Sequence, residues 1–270
     1  MRKKEFYLME HEEEILRLEK KTDLKILRQQ AQWAGLCQGM HVADIGCGSG
    51  ITTHGLFEMV QPRGRAVGVD MSDERIAYAD KTYGRQGLSF ERRNVLEPLT
   101  DLGRFDFVWV RFFLEYHRSR AFDIVQNLAA ILKPGGILCL IDLDYNCLSH
   151  FSMPERLSSA LHGIIHKLEA EADFDSRVGI KLYSFLYDIR FEQIEVKMAP
   201  HHLIYGDLKE VDAYNWTKKV EIAGRRSGYA FAEYGGDYTA FVEEFRSFFS
   251  NPRRFTYTPL IACRGKKPSA

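Results

Sequence analysis

The sequence predicts an α/β protein: a doubly wound, seven-stranded, mostly parallel sheet with helices on both faces, an antiparallel last strand and a helical insertion before it. Three observations carry that expectation. Short apolar segments alternate with amphipathic ones from Gly39 to Asp144, and such alternation builds a parallel sheet covered on both faces. A glycine-rich turn, Gly46-Cys47-Gly48-Ser49-Gly50, stands between the first apolar segment and the helix after it. The rhythm then breaks after Asp144, and helical segments gather ahead of one last strand.

In chain order, residues 10–36 read as one charged amphipathic helix, with Ile15, Leu18, Ile26 and Trp33 among its apolar positions. "GMHVADIG" is a short strand entering the glycine turn, and "THGLFEMV" is the helix leaving it. "GRAVGVDMS" is a second strand ending at Asp70, followed by a helix capped by Ser72 and stopped at Gly84. "LSFERRNV" is a weak third strand and "FDFVWV" a strongly β-prone fourth. "RAFDIVQNLAAILKPGG" is a helix closed by Pro-Gly-Gly, and "GILCLIDLD" a fifth strand. The segment 152–174 reads as a helix opened by a Ser152-x-x-Glu155 capping box. A shorter helix, "GIKLYSFLYDI", leads into the strand "FEQIEVKMA". Two helices then flank "GRRSGYAFAEYGG", before the final strand "RFTYTPLIACRG".

These elements make one domain over 1–270: an N-terminal helical cap (1–38), a core (39–200 and 252–265) and a helical insertion (207–250) placed to act as a lid or substrate wall. With 45% apolar and 13% aromatic residues the chain can bury a sizeable core. Thirty-seven basic residues balance 37 acidic ones, so no long-range field favours nucleic acid, and no nucleic-acid partner is expected. Five cysteines without a C-x-x-C pair read as reduced thiols in a cytoplasmic protein. No run approaches the ~18 apolar residues of a membrane span, and no membrane association is expected. The oligomeric state is not legible.

The glycine turn limits the ligand. A phosphate-binding loop needs a lysine after its glycines, and none follows. The dinucleotide spacing needs a third small residue where Ile51 stands. Asp44, two residues before Gly46, is unhelpful beside a pyrophosphate but suits a ligand with a positive end. Asp70, at the end of the second strand, is placed to accept both hydroxyls of a ribose. A ribose without phosphates, joined to a cationic amino acid tail, describes S-adenosylmethionine.

"VADIGCGSG", "GVDMS" and "LKPGGILCLID", in that order and spacing, resemble the class I S-adenosylmethionine-dependent methyltransferases of the small-molecule, Rossmann-like type. The resemblance runs from about Gly39 to Asp144 and more weakly to the last strand. It implies that the backbone at Gly46, Cys47, Gly48 and Gly50 lets the methionine part and ribose lie close, with S-adenosylhomocysteine as product. It further implies that Asp44 holds the amino group, Asp70 the ribose hydroxyls and Met71 the adenine. Asn94, with Val95 beside it, stands where the family has an acidic residue for the adenine amine. Asn94 can accept through its amide oxygen. Arg111 and Phe112 fall beside the sulfonium and tail, and Arg17 is a candidate for the cofactor carboxylate, with Arg28 competing.

On the same grounds the activity expected is methyl transfer to an O- or N-nucleophile of a small molecule by in-line displacement. An RNA or protein methyltransferase, or a non-catalytic cofactor-binding protein, are the alternatives. "VRFF" replaces the Asn/Asp-Pro-Pro-Tyr/Phe motif of enzymes that methylate adenine and glutamine amino groups. Tyr116, His117, Asp144 and Tyr145 are candidate substrate contacts, and Glu115 joins them as a possible proton acceptor, with no catalytic base singled out. Asp142 and Asp144 either touch substrate or form the polar end of an apolar strand. No metal is expected: His162, His166 and Glu169 share a helix face but read as surface residues. His201 and His202, adjacent in a strand, should point to opposite faces. The aromatics of 205–249 suggest either a substrate pocket or the insertion's own core.

Overall fold

The computed structural model describes Ile15, Glu19 and residues 22–269. Arg17 lies outside the described residues. The segment 10–36 is not one helix. Asp23 is extended and accepts from the backbone N–H groups of Lys25 and Ile26, opening a separate helix α1 (Leu24–Ala34). A carboxylate that satisfies two otherwise orphaned amides outweighs the continuous charge pattern around it.

Five strands run parallel in the spatial order β3-β2-β1-β4-β5: β1 (His41–Ile45), β2 (Arg65–Asp70), β3 (Leu88–Arg92), β4 (Phe105–Arg111) and β5 (Leu132–Leu143). Helices α2 (Ile51–Val60), α3 (Asp73–Tyr83) and α4 (Ala121–Ala130) link them. Strand order reverses between β1 and β4, so the connections leaving their carboxyl ends diverge and open a crevice, where open α/β sheets take their ligands. Apart from Asp44 and Asp106, β1 and β4 are apolar inward of their ends because both faces are covered, by α1 and α2 on one side and α4 on the other.

The last long strand, β8 (Phe255–Lys266), is antiparallel to β5 on one side and to β7 (Glu192–Tyr205) on the other. A two-residue strand, β6 (His150–Phe151), pairs with the start of β8. The seven long strands therefore match the expectation, and β6 is an eighth, short addition.

A third cluster of buried side chains stands apart from the two sheet faces. It joins α5 (Glu155–Glu171), α7 (Glu210–Arg226) and α8 (Tyr238–Ser250) around Leu161, Ile164, Trp216, Phe241, Phe245 and Phe249. The short α6 (Leu182–Asp188) instead packs on the sheet. The aromatics of 205–249 thus build the core of the helical unit, while Tyr205 and Tyr214 are exposed.

Three local expectations are corrected. Pro-Gly-Gly does not close α4, which ends at Ala130; Pro134 to Gly136 lie inside β5, where Phe105 pairs with Leu132 and Phe107 with Ile137. The extra residues bulge out of the ladder, a position that tolerates a proline without an N–H. The Ser152–Glu155 capping box does not form, because Ser152 is left-handed (φ 62°) and α5 starts after Pro154 without a side-chain cap. His201 and His202 do not point apart. Pro200 pairs with Pro259 and His202 with Thr258, so His201 is the extra residue of a β-bulge, and the two ring centroids lie 4.2 Å apart.

Candidate functional site

A cleft opens above the carboxyl ends of β1 and β4 and runs under the helical unit. Its sheet end is lined by Asp44, Gly46, Cys47, Gly48, Ser49, Arg75, Arg111 and Phe112, with Thr22 at the rim. Its far end is lined by Glu115, Tyr116, Asn146, Cys147, Ile165, Leu168, Phe174, His201, Lys219, Ile222 and Ala223.

The glycine turn is built by steric exclusion. Gly46 is left-handed (φ 71°), and a Cβ there would run into the Phe113 ring. Gly50, at φ 87°, opens α2, and its Cβ would lie 2.7 Å from that of Ala79. Gly50 therefore serves packing of α2 against α3, whereas Gly46 and Gly48 present backbone to the cleft. Asp70 fixes this turn from behind: its carboxylate accepts from Gly48 N (3.0 Å) and Ser72 N (3.0 Å), and Arg75 Nη1 stands 3.6 Å away.

Electrostatics at the sheet end rest on two buried groups. Asp44 accepts a 2.7 Å bond from the Thr53 hydroxyl, and burial pushes its carboxyl up to about 7 despite that bond and the nearby Arg111. Burial also lowers the Arg111 guanidinium to about 10, against the pull of Asp44, Asp142 and Asp23. Arg111 stacks over Phe112 at 4.2 Å, and its Nε is buried without a hydrogen-bond partner among the described residues. A buried guanidinium N–H left unpaired is costly unless something else takes it.

The loop after β4 is hung from β5. Asp142, at the end of β5, accepts from Phe113 N (3.3 Å), Glu115 N (3.2 Å) and Leu143 N (2.9 Å). It therefore orders the site's backbone and does not line the cleft; burial and the Glu115 carboxylate push its own carboxyl up. Phe112 (φ 54°), Tyr145 (φ 50°) and Cys147 (φ 69°) are left-handed around this loop pair. Strained non-glycine residues of that kind concentrate where geometry is imposed for function. Glu115 Oε2 accepts from Asn146 Nδ2 (2.9 Å), and Asn146 Oδ1 accepts from Lys219 Nζ (3.0 Å) and from Cys147 Sγ (3.3 Å).

Of the residues expected at the site, Asp44, Gly46, Cys47, Gly48, Arg111, Phe112 and Tyr116 meet in the cleft. Gly50, Asp70, Met71, Asn94 and Val95 lie off its lining, the last four along the adjacent ends of β2 and β3. Met71 is 45% exposed there. Asn94 Oδ1 accepts from Leu96 N (3.1 Å), and the Val95 carbonyl accepts from Asn127. The structure does not bring His117, Asp144 or Tyr145 into the cleft: His117 packs on Phe113, Asp144 faces Arg177 at 3.8 Å, and Tyr145 meets His162. His162 Nδ1 is also engaged with the Ser158 carbonyl, and Glu169 accepts from Ser176. Thr22, Arg75, Asn146 and Lys219 carry no signal in the sequence that places them here, and His201 enters the cleft because the bulge turns it from the face a regular strand would give it.

Comparison with known proteins bears on this geometry. A family model described as a methyltransferase domain matches residues 42–136. The ubiquinone biosynthesis O-methyltransferase of Coxiella burnetii is 35% identical over 126 residues, 46% of this chain and 50% of that protein. The chain thus spans about half the length of such curated relatives. The juvenile hormone acid O-methyltransferase of Bombyx mori is 30% identical over 217 residues, 73% of this chain and 75% of that protein. The fold also matches phosphoethanolamine N-methyltransferase 2 of Haemonchus contortus, solved in complex with S-adenosyl-L-methionine. There the TM-score is 0.54 and the identity 13%, with 90% of this chain and 52% of that one covered. No helix among the described residues is long and apolar enough to cross a membrane.

Proposed function

The chain belongs to the class I S-adenosylmethionine-dependent methyltransferases, and on that premise we propose that it transfers a methyl group to an O- or N-nucleophile of a small molecule. The observation that carries the reading is the pairing of opposite buried charges beside the glycine turn, Asp44 and Arg111, in the cleft between β1 and β4. An amino acid tail has one charge of each sign. Asp44 suits its ammonium, and the Nε of Arg111, without a hydrogen-bond partner among the described residues, suits its carboxylate.

The remaining groups fit the nucleoside. Asp70 already holds two backbone amides on separate oxygens, and its further lone pairs can accept ribose hydroxyls. Exposed Met71 offers an apolar surface to the adenine, and the second lone pair of the Asn94 amide oxygen can meet the adenine amine. When bound, S-adenosylmethionine supplies a methyl group already activated on a sulfonium. The protein's task is then to hold the acceptor in line and exclude water, and most of its rate advantage comes from that positioning. Phe112, Leu143, Ile165, Leu168 and Phe174 provide an apolar wall for this, and Glu115, Tyr116 and His201 are among the groups in the cleft able to take or relay an acceptor proton.

A small-molecule acceptor is supported by two things. The far end of the cleft is enclosed between α5 and α7, and relatives are named for ubiquinone biosynthesis and for juvenile hormone acid. We read the protein as acting without nucleic-acid or membrane partners. Calorimetric titration with S-adenosylhomocysteine tests the cofactor site: binding is expected for the native protein and loss by at least ten-fold in Asp70→Ala and Arg111→Met. No binding by the native protein would sink the reading. Methyl transfer from radiolabelled cofactor into metabolite, RNA and protein fractions tests the acceptor, and label only in RNA or protein overturns the small-molecule assignment.

A further inference from the structure

Helix α7 carries Trp216, Lys219, Val220 and Ala223 at i, i+3, i+4 and i+7, one face of a helix. Three of the four are what a buried stripe requires. The lysine is not. Its side chain is half-buried, with Nζ 3.0 Å from Asn146 Oδ1 and 5.4 Å from the Trp216 ring. Among the described residues no carboxylate lies within ion-pair distance of it, although the next residue but one, Glu221, pairs with Arg246 and Lys218. An ammonium that meets one neutral acceptor beside an apolar wall keeps two donors to offer a ligand.

Lys219 stands where the main cleft meets a smaller apolar recess. The recess runs between α5 and α7 and is lined by Leu148, Leu161, Ile164, Ile165 and Val220. Lys219 lines both spaces, as do Cys147, Ile165 and Ala223. The recess, about 30 Å³, has room for a water or two, so the space for a ligand body is the cleft itself, where the Lys219 charge stands among Ile165, Leu168 and Phe174. Glu115, the nearest acid of the network, reaches Lys219 only through the Asn146 amide, so it orients that amide without neutralising the cation.

We infer that the acceptor is an organic carboxylate with an apolar body, its body in the cleft against Ile165, Leu168 and Phe174 and its carboxylate on Lys219. The inference rests on the methyltransferase reading and deepens it by fixing the charge of the acceptor. A neutral analogue of the same shape brings the lysine no counter-charge, and a cationic one meets it directly, so Lys219 selects by charge while the apolar wall of the cleft selects by shape.

The test uses the full chain loaded with S-adenosylhomocysteine, titrated with two matched pairs: 4-phenylbutyrate against 4-phenylbutanamide, and octanoate against octanamide. The carboxylates are expected to bind at least ten-fold more tightly than their amides. Lys219→Met should remove that preference while leaving affinity for S-adenosylhomocysteine within two-fold, and Lys219→Arg should restore most of it. Retained affinity for S-adenosylhomocysteine also shows that the variant is folded. Equal binding of acid and amide by the native protein, binding of none of the probes, or an unchanged preference in Lys219→Met overturns the inference while the cofactor reading stands. Failure of the native protein to bind S-adenosylhomocysteine removes the cofactor reading itself.

Discussion

The hydroxyl of Thr53, in the first turn of α2, donates a 2.7 Å hydrogen bond to the carboxylate of Asp44 at the end of β1. Both side chains are buried. The bond ties the helix that leaves the glycine turn to the strand that enters it, and it aims the carboxylate at the cleft. Replacing Thr53 with valine keeps the volume and leaves a buried carboxylate oxygen without its donor. We expect a loss of about 1–3 kcal/mol in unfolding free energy, read by urea denaturation, and weaker binding of S-adenosylhomocysteine by calorimetry. An unchanged value of both would show that Asp44 is held by the strand alone.

Asp44 should make cofactor affinity depend on pH near neutrality. Burial raises its carboxyl to about 7, so between the ordinary carboxylate range and 7 the folded chain binds a proton that the unfolded chain does not. The contribution of this group to stability therefore falls as pH rises through that window. An ammonium ligand wants the ionised form. Affinity for S-adenosylhomocysteine should accordingly drop by up to about ten-fold for each pH unit below 7, with a proton released on binding. Calorimetry at pH 6 and 8 in buffers of different ionisation heat reads both effects. Asp44→Asn should bind weakly at either pH, with no proton release.

His150 gives the opposite slope at lower pH. Its ring sits against Trp216 and Phe248, and burial lowers it to about 4. With its proton on Nε2 the neutral ring donates to the Cys147 carbonyl, and Nδ1 accepts from Thr256. The unfolded chain takes up this proton near 6.5, before the folded one does, so stability is full above that value and falls as pH drops toward 4. The loss is on the order of 2–4 kcal/mol. Because Asp44 acts with the opposite sign over the same window, the effect is read as the difference between the native protein and His150→Gln in chemical denaturation at pH 7 and 4.5, followed by tryptophan fluorescence: the native protein should lose more, or gain less, on acidification than the variant. The same change in both proteins contradicts the assignment.

Phe241 should separate the helical unit from the sheet. Its ring is fully buried among Phe231, Tyr234 and Tyr238, and no residue of the glycine turn touches that cluster. Phe241→Ala should cost roughly 3–5 kcal/mol, read as an earlier first transition in denaturation. Binding of S-adenosylhomocysteine should stay within about three-fold. A parallel collapse of cofactor binding would show that the sheet end depends on the helical unit.

The core of the molecule was legible because it is periodic. Continuous apolar segments such as "FDFVWV" and "GILCLIDLD" can satisfy themselves only between two covered faces, so the parallel order of β1, β2, β4 and β5 followed from local evidence. The glycine turn and its flanking Asp44 were legible because sterics and charge act there within a few residues. What failed was information held at a distance. The bulge at His201 depends on where Pro200 falls against Pro259 in another strand, which reverses an alternation that is correct for a regular strand. Asp142 reads as an open carboxylate until the loop carrying Phe113 and Glu115 folds onto it. Lys219 did leave a trace: one cation in the apolar stripe of α7. Its meaning depended on Asn146, 73 residues earlier.

The separate hydrophobic core of α5, α7 and α8 has a consequence for how such a protein diversifies. Residues that line the far end of the cleft, such as Ile165, Ile222 and Ala223, stand on helices whose packing is independent of the two cores that cover the sheet. Mutations there are paid for locally, out of the helical unit's own stability. The machinery around Asp44 and Gly46 is left untouched by them. Lineages can therefore explore new acceptors by drift in one module while the other stays under strict selection, and a chain only distantly similar in its acceptor wall can keep the same chemistry at its sheet.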